Sequence, residues 1–315
     1  MAVIKVRDIA YGRLRSPDLD MQEEFLTDFG LKRVARTPTA LYMRGTDPIQ
    51  YLHVTERGAP ALLGLGWHAQ SEDDLRTLSK VPGASDIEHL DTPGGGLRVR
   101  LKDPNGYMAE VVFGIERPAA IEVPSCPMNS GSEPLNRAGQ LMRLSSGPSL
   151  VKRIAHGVIF TPRFAETLKW YRETMGFIGS DDLYVGSKDN VIGSFNRCDL
   201  GDQYVDHHAF FCMVNANAGL NHLSFEVHDI DQVFLGHDYL AAREKYTHIW
   251  GIGRHLLGSQ VFDYWEDPWG RVHEHWADSD RLNVRNGTNL MPIHEGLRSQ
   301  WGEEPPDSFK GYVSP

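Results

Sequence analysis

The sequence predicts a mixed α+β fold made of a duplicated unit, and three observations support this prediction. Two Asp-Pro-x-Gly turns, which begin at Asp103 and Asp267, each end four residues before a glutamate, Glu110 and Glu274. Each half of the chain divides again into two pieces, in which a strand is followed by a helix and further strands. A proline-rich segment separates the halves, so two domains are expected.

The first half begins with alternating residues over 9–15, which predict a strand. A helix is predicted over 18–29, because its apolar residues share roughly one face and Gly30 suits a C-terminal cap. The other predicted elements of this half are strands over 39–43 and 49–54, and a second piece from Leu63 with a helix over 72–78 and strands over 96–101 and 108–113.

The second half repeats this plan from Ile154 onward. A helix is predicted over 165–175, and Gly176 ends it as Gly30 ends the first helix. The last piece opens at Asn221 and is predicted to contain a helix over 231–242 and strands over 260–265 and 271–276.

These patterns predict an N-terminal domain over 1–115, a linker over 116–150, a C-terminal domain over 151–282 and a tail over 283–315. The linker holds several prolines among Ser, Asn and Gly and shows little apolar periodicity. The tail keeps aromatic residues that a free terminus would not need, so we expect it to pack over the body as a cover to the site. A disordered terminus is the alternative.

Composition limits the classes of function. The 315 residues carry a formal charge of −10 without a clustered Lys/Arg run, which argues against a nucleic-acid partner. No run approaches the roughly 20 apolar residues that span a bilayer, and charges come too early for a signal peptide. Cys126, Cys198 and Cys212 lack metal or redox spacing and are expected to be reduced thiols. A soluble, cytoplasmic protein is predicted.

The two halves differ where chemistry would occur. Tyr11 stands where the second half has His156, and an alignment of two Gly-Leu segments places Trp67 opposite His222. Only the second half combines both histidines with Glu274. Two imidazoles and one carboxylate form a facial triad that leaves positions open on a non-haem Fe(II), although Mn(II) accepts the same set. The sequence therefore predicts one metal site, in the C-terminal domain.

The register of this site has one open alternative. His273 and His275 flank Glu274, and because side chains alternate along a strand they should face the other side. We expect both to be structural or exposed to solvent. A register in which either of them binds the metal is the competing interpretation.

The segment Trp250 to Glu274, WGIGRHLLGSQVFDYWEDPWGRVHE, resembles a family signature in which a histidine, a tyrosine and the metal glutamate follow one another. With the four modules and the metal set, nearly the whole chain resembles the type I extradiol ring-cleavage dioxygenases of the vicinal oxygen chelate superfamily. The residues of this segment are similar to those of the branch that acts on trihydroxytoluene and methylhydroquinone-type rings. The resemblance implies that each pair of βαβββ modules forms an open eight-stranded barrel, that only the second holds iron, and that the chain forms a homo-oligomer.

The resemblance also implies roles for further residues. His208 matches the histidine that takes and returns a substrate proton, a role suited to a side chain with a pKa near neutral. His207 would face the other way, and a swap of the two, or a structural role for both, stays open. His255 and Tyr264 match positions that hydrogen-bond the substrate oxygens, although Tyr264 also fits a core aromatic.

The expected reaction inserts both atoms of O2 into an aromatic diol with C–C cleavage beside the diol, in aromatic-compound degradation. Trp250 and Ile252 lie near His255 and suggest an apolar pocket wall. This favours an alkyl-substituted polyhydroxybenzene such as trihydroxytoluene over a ring that carries a carboxylate. The alternatives are a glyoxalase-like metalloenzyme, which often uses two glutamates, and a small-molecule binding protein of the same superfamily.

Overall fold

The computed structural model describes residues 2–124 and 127–314, so Cys126 lies outside the described residues. The first half consists of two modules, each a strand, a helix and three strands. Its elements are β1 (Asp8–Ser16), α1 (Leu19–Asp28), β2 (Lys32–Arg36), β3 (Ala40–Arg44), β4 (His53–Arg57), β5 (Ala61–His68), α2 (Glu72–Leu78), β6 (Glu88–His89), β7 (Leu97–Lys102) and β8 (Met108–Phe113).

The second half repeats the modules and continues into the tail. Its elements are β9 (Val151–Thr161), α3 (Phe164–Met175), β10 (Phe177–Tyr184), β11 (Val191–Cys198), β12 (Val205–Asp206), β13 (Phe210–Val214), β14 (Gly219–Val227), α4 (Ile230–Arg243), β15 (Thr247–His255), β16 (Val261–Glu266), β17 (Val272–Ala277), β18 (Arg281–Leu282), a 3₁₀ turn (Val284–Asn286), β19 (Asn289–Pro292), α5 (Ile293–Gly296), β20 (Ser299–Trp301) and α6 (Asp307–Lys310).

The strand order confirms the duplication. The first sheet runs β2-β3-β4-β1-β5-β8-β7-β6, and the second contains β10-β11-β13-β9-β14-β17-β16-β15, which is the same order of equivalent strands. The second sheet has ten strands rather than eight, because β19 and β20 of the tail add one strand at each edge. The predicted α+β fold of paired βαβββ modules is therefore confirmed, with the tail joined to the second sheet by backbone hydrogen bonds.

The predicted helices agree with the structure to within one residue at each end. The strand predicted over 49–54 was misplaced: the amide of Ile49 donates to the carbonyl of Asp47 (2.7 Å), so the chain turns at Pro48 and β4 begins at His53. The sequence did not place β2, β10, β11, β13 and β15. β2 shows why, since this edge strand has no fully buried residue and lacks the alternation that marks a half-buried strand.

The strand register defines which residues of the two halves are equivalent. In the second half, Ser224 of β14 lies opposite both His156 in β9 and Glu274 in β17. In the first half, Gly66 of β5 lies opposite Tyr11 in β1 and the glutamate of β8. Gly66 is thus the counterpart of Ser224, and Tyr11 is the counterpart of His156, as the sequence predicted.

The same register corrects the second pairing. Two residues before Gly66 lies Gly64, which occupies the position of His222, whereas Trp67 occupies the position of Phe225. The alignment of Trp67 with His222 was wrong by three residues. An odd shift moves a side chain to the other face of a strand, and Trp67 is fully buried in the main apolar core. The asymmetry persists, because glycine offers no side-chain donor.

The histidines that flank Glu274 hold the two halves together. The ring of His275 stacks on Phe29 at a centroid distance of 3.7 Å, and its Nε2 lies 2.7 Å from the carbonyl oxygen of that residue. His273 stacks on His53 of the first half (5.4 Å). Both side chains are fully buried. They are structural rather than exposed to solvent, which is one of the two outcomes expected from the sequence.

Arg271 links the halves through a buried guanidinium. Its side chain is fully buried and pairs with the equally buried Asp267 at 2.5 Å. It also donates to Ser16 Oγ (2.7 Å), to Gln22 Oε1 (2.5 Å) and to the carbonyl of Arg15. The aspartate of the second Asp-Pro-x-Gly turn is thus neutralised inside the interface between the halves.

We expect Arg271→Met to lower the free energy of unfolding by about 3–5 kcal/mol, since it leaves the carboxylate of Asp267 buried without its cation. The matched control is Arg285→Met, which removes a pair with Asp202 whose side chains are 74% and 68% exposed and should change stability by less than about 0.5 kcal/mol. Urea unfolding of both variants makes the comparison. Equal losses of unfolding free energy in the two variants would contradict the view that the buried Arg271–Asp267 pair stabilises the interface between the halves.

Candidate metal centre

Three side chains converge where β9, β14 and β17 lie side by side. His156 Nε2 lies 3.3 Å from His222 Nε2 and 3.1 Å from Glu274 Oε2, and His222 Nε2 lies 3.6 Å from the same carboxylate oxygen. Donors bound about 2.1 Å from one ion at right angles are separated by roughly 3 Å. The structure therefore brings together the three residues predicted from the sequence, at separations that suit a common cation.

Hydrogen bonds orient two of these donors. His222 Nδ1 lies 2.7 Å from Asn221 Oδ1, so the Nδ1–H donates to the amide and leaves the Nε2 lone pair free to face the cluster. Asn221 Nδ2 in turn donates to the carbonyl of Tyr312 in the tail (2.9 Å). Ser224 Oγ donates to Glu274 Oε2. Sequence reasoning missed the roles of Asn221 and Ser224, and only their positions beside His222 hint at them.

The electrostatics of the cluster favour a bound cation. Burial lowers the pKa of His222 to about 3, so its imidazole is neutral and can donate a lone pair. Burial alone would raise the pKa of Glu274, but hydrogen bonds from His156 and His255 and the positive charge available on His156 and His222 outweigh it and hold that pKa well below its usual range. Among the described residues, Glu274 Oε1 is buried with only a long contact to His255 Nε2 at 3.4 Å. An ionised, incompletely paired carboxylate beside two imidazole donors fits a divalent metal.

His208 and His207 take different directions. The ring of His208 lies 4.0 Å from that of His156 and lines the pocket above the cluster. Its Nδ1 contacts His207 Nδ1 at 3.0 Å, and His207 Nε2 contacts Asp181 Oδ2 at 2.5 Å. Burial, with the neighbouring His156 and His207, lowers the pKa of His208 well below its usual value, so the near-neutral pKa expected from the sequence is not found. The structure places His208 on the pocket wall and His207 behind it, against a carboxylate.

His255 and Tyr264 lie together on the opposite wall. His255 Nε2 is 2.9 Å from the Tyr264 hydroxyl and 3.4 Å from Glu274 Oε1. Burial raises the pKa of Tyr264 well above its usual value, so the phenol keeps its proton. Trp250 stacks on Tyr264 with ring centroids 5.3 Å apart. These three predicted residues therefore share one pocket.

Ile252 is the predicted site residue that the structure places elsewhere. It is absent from the pocket lining and packs instead against the main apolar core. Simple alternation would give it the same face as Trp250, but the pairing of β15 with β16 shifts register between Gly251 and Gly253. A bulge of this kind re-aims the residue it contains, and this one turns Ile252 away from the pocket.

Residues of the tail supply part of the pocket lining. Phe309 packs on Tyr264 and on His222, with ring centroids 5.0 and 6.1 Å apart. The rest of the lining is mainly apolar, and the tail supplies part of it; these additional lining residues are Val158, Phe160, Phe195, Phe211, Met213, Leu257, Gln260, Gly296, Leu297, Pro305 and Lys310. The sequence offered only aromatic content as a signal for this contact.

In the first half, arginine side chains surround the glutamate that is equivalent to Glu274. Glu110 accepts from the Tyr11 hydroxyl (2.6 Å) and pairs with Arg13 and Arg98. A Cβ at Gly64, the counterpart of His222, would collide with the carbonyl of Met108. At the positions equivalent to His156 and His222, this half therefore has no imidazole, and position 64 has no room for a side chain. Guanidinium groups neutralise its buried carboxylate.

Curated relatives extend along nearly the whole chain. Metapyrocatechase 2 of Cupriavidus necator is 30% identical over 307 residues, which are 96% of this chain and 91% of that protein. The manganese-dependent 2,3-dihydroxybiphenyl 1,2-dioxygenase of Geobacillus genomosp. 3 is 22% identical over 301 residues, which are 92% of this chain and 88% of that protein. No protein-family model matches.

Solved structures share the fold. The Mn(II)-bound glyoxalase of Novosphingobium aromaticivorans has a TM-score of 0.79 at 22% identity, covering 99% of this chain and 96% of its own. Homoprotocatechuate 2,3-dioxygenase of Brevibacterium fuscum, in complex with 3,4-dihydroxyphenylacetate, also has a TM-score of 0.79, at 18% identity, covering 99% and 94%. Because a glyoxalase and a dioxygenase have the same fold, these likenesses establish architecture alone.

The identity with metapyrocatechase 2 decides the class: the chain belongs to the type I extradiol dioxygenases of the vicinal oxygen chelate superfamily. It is a ring-cleaving dioxygenase of the catechol type, and such enzymes use a divalent metal, iron or manganese, and O2. Within residues 2–124 and 127–314, no helix is long and apolar enough to cross a membrane.

Proposed function

We propose that this chain is an Fe(II)-dependent extradiol dioxygenase that opens an alkyl-substituted polyhydroxybenzene, such as trihydroxytoluene, beside its diol. The observation that supports this best is the convergence of His156, His222 and Glu274 within 3.6 Å of one another at the base of an apolar pocket. These residues would hold the ion. Mn(II) is the alternative metal, since it accepts the same donors.

When bound, the ion would supply a chelating position for both diol oxygens and a path for electrons from the ring to O2. The protein must then orient the diol and manage its protons. Tyr264 and His255 lie near Glu274 and present a phenol and an imidazole toward the place of the substrate oxygens. His208 reaches the same space from the other wall, where its ring can accept a diol proton and return it later.

His207 and Asp181 fix the orientation of His208. Its Nδ1 contacts His207, which leaves Nε2 as the nitrogen without a hydrogen-bond partner among the described residues. His207 is itself held by the carboxylate of Asp181. A base whose ring is fixed by a second group is the arrangement that general acid–base catalysis needs.

The pocket wall supports an alkyl-substituted ring. Aromatic and aliphatic side chains surround the cluster, and Lys310 is the only Lys or Arg in the lining formed by the described residues. That ammonium already pairs with Asp307 at 2.8 Å. A ring carboxylate would therefore be buried with little compensation, which costs free energy.

The wider organisation is also a proposal. We place the N-terminal domain at 1–115, the linker at 116–150, the catalytic domain at 151–282 and the tail at 283–315, and we propose that the tail covers the site. Cytoplasmic location and a homo-oligomeric state complete the proposal.

His156→Ala should abolish the yellow ring-opened product formed from a catechol, Fe(II) and air, and weaken Fe(II) binding by at least about 100-fold, because one of three donors is lost. The matched control is His294→Ala, which alters a histidine that is 78% exposed and should behave as the unaltered chain. Oxygen uptake by His156→Ala at the unaltered rate would refute the metal assignment.

His208→Gln should lower kcat by about 10²–10⁴-fold, since a glutamine can hydrogen-bond but cannot take a proton. Fe(II) content should stay constant and KM should change by less than about threefold, because the metal donors and pocket wall remain. Steady-state kinetics with metal analysis separates these quantities. A variant that loses iron, or one that keeps kcat, would show that the ring is merely structural.

A substrate panel tests the apolar wall. We expect kcat/KM for 3-methylcatechol and trihydroxytoluene to exceed that for 2,3-dihydroxybenzoate by about 100-fold, which corresponds to about 2.7 kcal/mol. Lys310→Met provides the control, since it should leave this ratio unchanged if the cation does not select the substrate. A preference for the carboxylated ring that disappears in Lys310→Met would overturn the proposed substrate class.

A further inference from the structure

A second group of metal-binding side chains lies outside the pocket. His237 of α4, His248 of β15 and Asp263 of β16 place one donor atom each within 4.8 Å of one another. Asp263 Oδ1 lies 3.1 Å from His237 Nδ1 and 2.7 Å from His248 Nε2. Two imidazoles and a carboxylate thus share one oxygen-centred cluster, built from three different elements.

The cluster is separate from the candidate metal centre. Side chains alternate along β16, so Asp263 and Trp265 face α4 while Phe262 and Tyr264 face the other side of the sheet. Tyr264 lines the substrate pocket, but none of His237, His248 and Asp263 does so. The group therefore lies on the outer, helix-covered face of the second sheet.

A hydrogen bond orients the carboxylate of Asp263, as is usual for carboxylates that bind metals. Asp263 Oδ2 accepts a hydrogen bond from Trp265 Nε1 at 2.5 Å, which orients the group. Oδ1 lies against His248 Nε2, and His237 Nδ1 lies 3.1 Å from Oδ1 and 3.2 Å from Oδ2. The Asp263 side chain is fully buried, whereas those of His237 and His248 are 28% and 31% exposed. Solvent can therefore reach the imidazole side of the cluster and complete a coordination shell.

We propose that His237, His248 and Asp263 bind a divalent transition-metal ion of the zinc class, with water in the remaining position. Imidazole and carboxylate donors suit this class. A tetrahedral ion with bonds of about 2.0–2.1 Å separates its donors by roughly 3.3 Å. Small rotations of the partly exposed rings of His237 and His248 would bring the observed donor separations to this value. This inference does not depend on the proposed dioxygenase mechanism.

The bound ion would join α4 to strands β15 and β16 of the second sheet. His237 comes from the helix, and the two other residues come from neighbouring strands, so one ion cross-links three elements. Tyr264 follows Asp263 directly in β16. The ion would thus stabilise the strand that presents a pocket residue, without contact with the substrate.

The test uses the full chain with His156→Ala, which disables the candidate metal centre. After chelator treatment, Zn²⁺ alone is titrated by calorimetry. We expect one Zn²⁺ per chain and a rise in Tm. Adding His248→Ala should weaken this binding at least about 100-fold, whereas adding His294→Ala, at an exposed histidine, should leave it unchanged.

Two results would overturn the proposal: a folded His156→Ala chain that binds no Zn²⁺, or Zn²⁺ binding of equal affinity with and without His248→Ala. The second result would assign the ion to residual donors near His222. Circular dichroism establishes folding of each chain. If His248→Ala unfolds, His237→Gln replaces it, since this ring lies on the helix surface and its loss leaves the strands paired; the same expected and opposing results apply.

Discussion

The buried carboxylate of Glu274 is the constraint on which the site depends. Three neighbouring strands, β9, β14 and β17, bring it against two imidazoles, and its environment keeps it ionised although it is fully buried. An ionised group without solvent needs an opposite charge. The proposed cation meets that need, and it explains why His222 is held with its lone pair toward the carboxylate rather than toward its amide neighbour.

The duplicated half meets the same constraint by other means. Glu110 occupies the equivalent position, but guanidinium groups from Arg13 and Arg98 neutralise it and the Tyr11 hydroxyl caps it. Gly64 leaves no donor opposite. One fold thus supports a buried glutamate in two ways, and of the two halves only the second places two imidazoles beside that carboxylate. Fold and function separate here within a single chain.

Much of the fold could be predicted from local patterns, because helix periodicity, Gly caps and the repeated Asp-Pro-x-Gly turns depend only on residues that are close in sequence. The three converging donors were also found, from the contrast between the halves. The misalignment of Trp67 and the placement of Ile252 share one cause: strand register and bulges are set by pairing between distant segments. The support given to His222 by Asn221, and to the carboxylate by Ser224, depends on the same pairing and could not be predicted locally.

Diffraction at the iron absorption edge, from a crystal loaded anaerobically with Fe(II), tests the central claim most directly. The account predicts an anomalous peak about 2.0–2.2 Å from His156 Nε2, His222 Nε2 and a carboxylate oxygen of Glu274. Iron located away from this triad, with these three side chains still clustered around an empty centre, would contradict it.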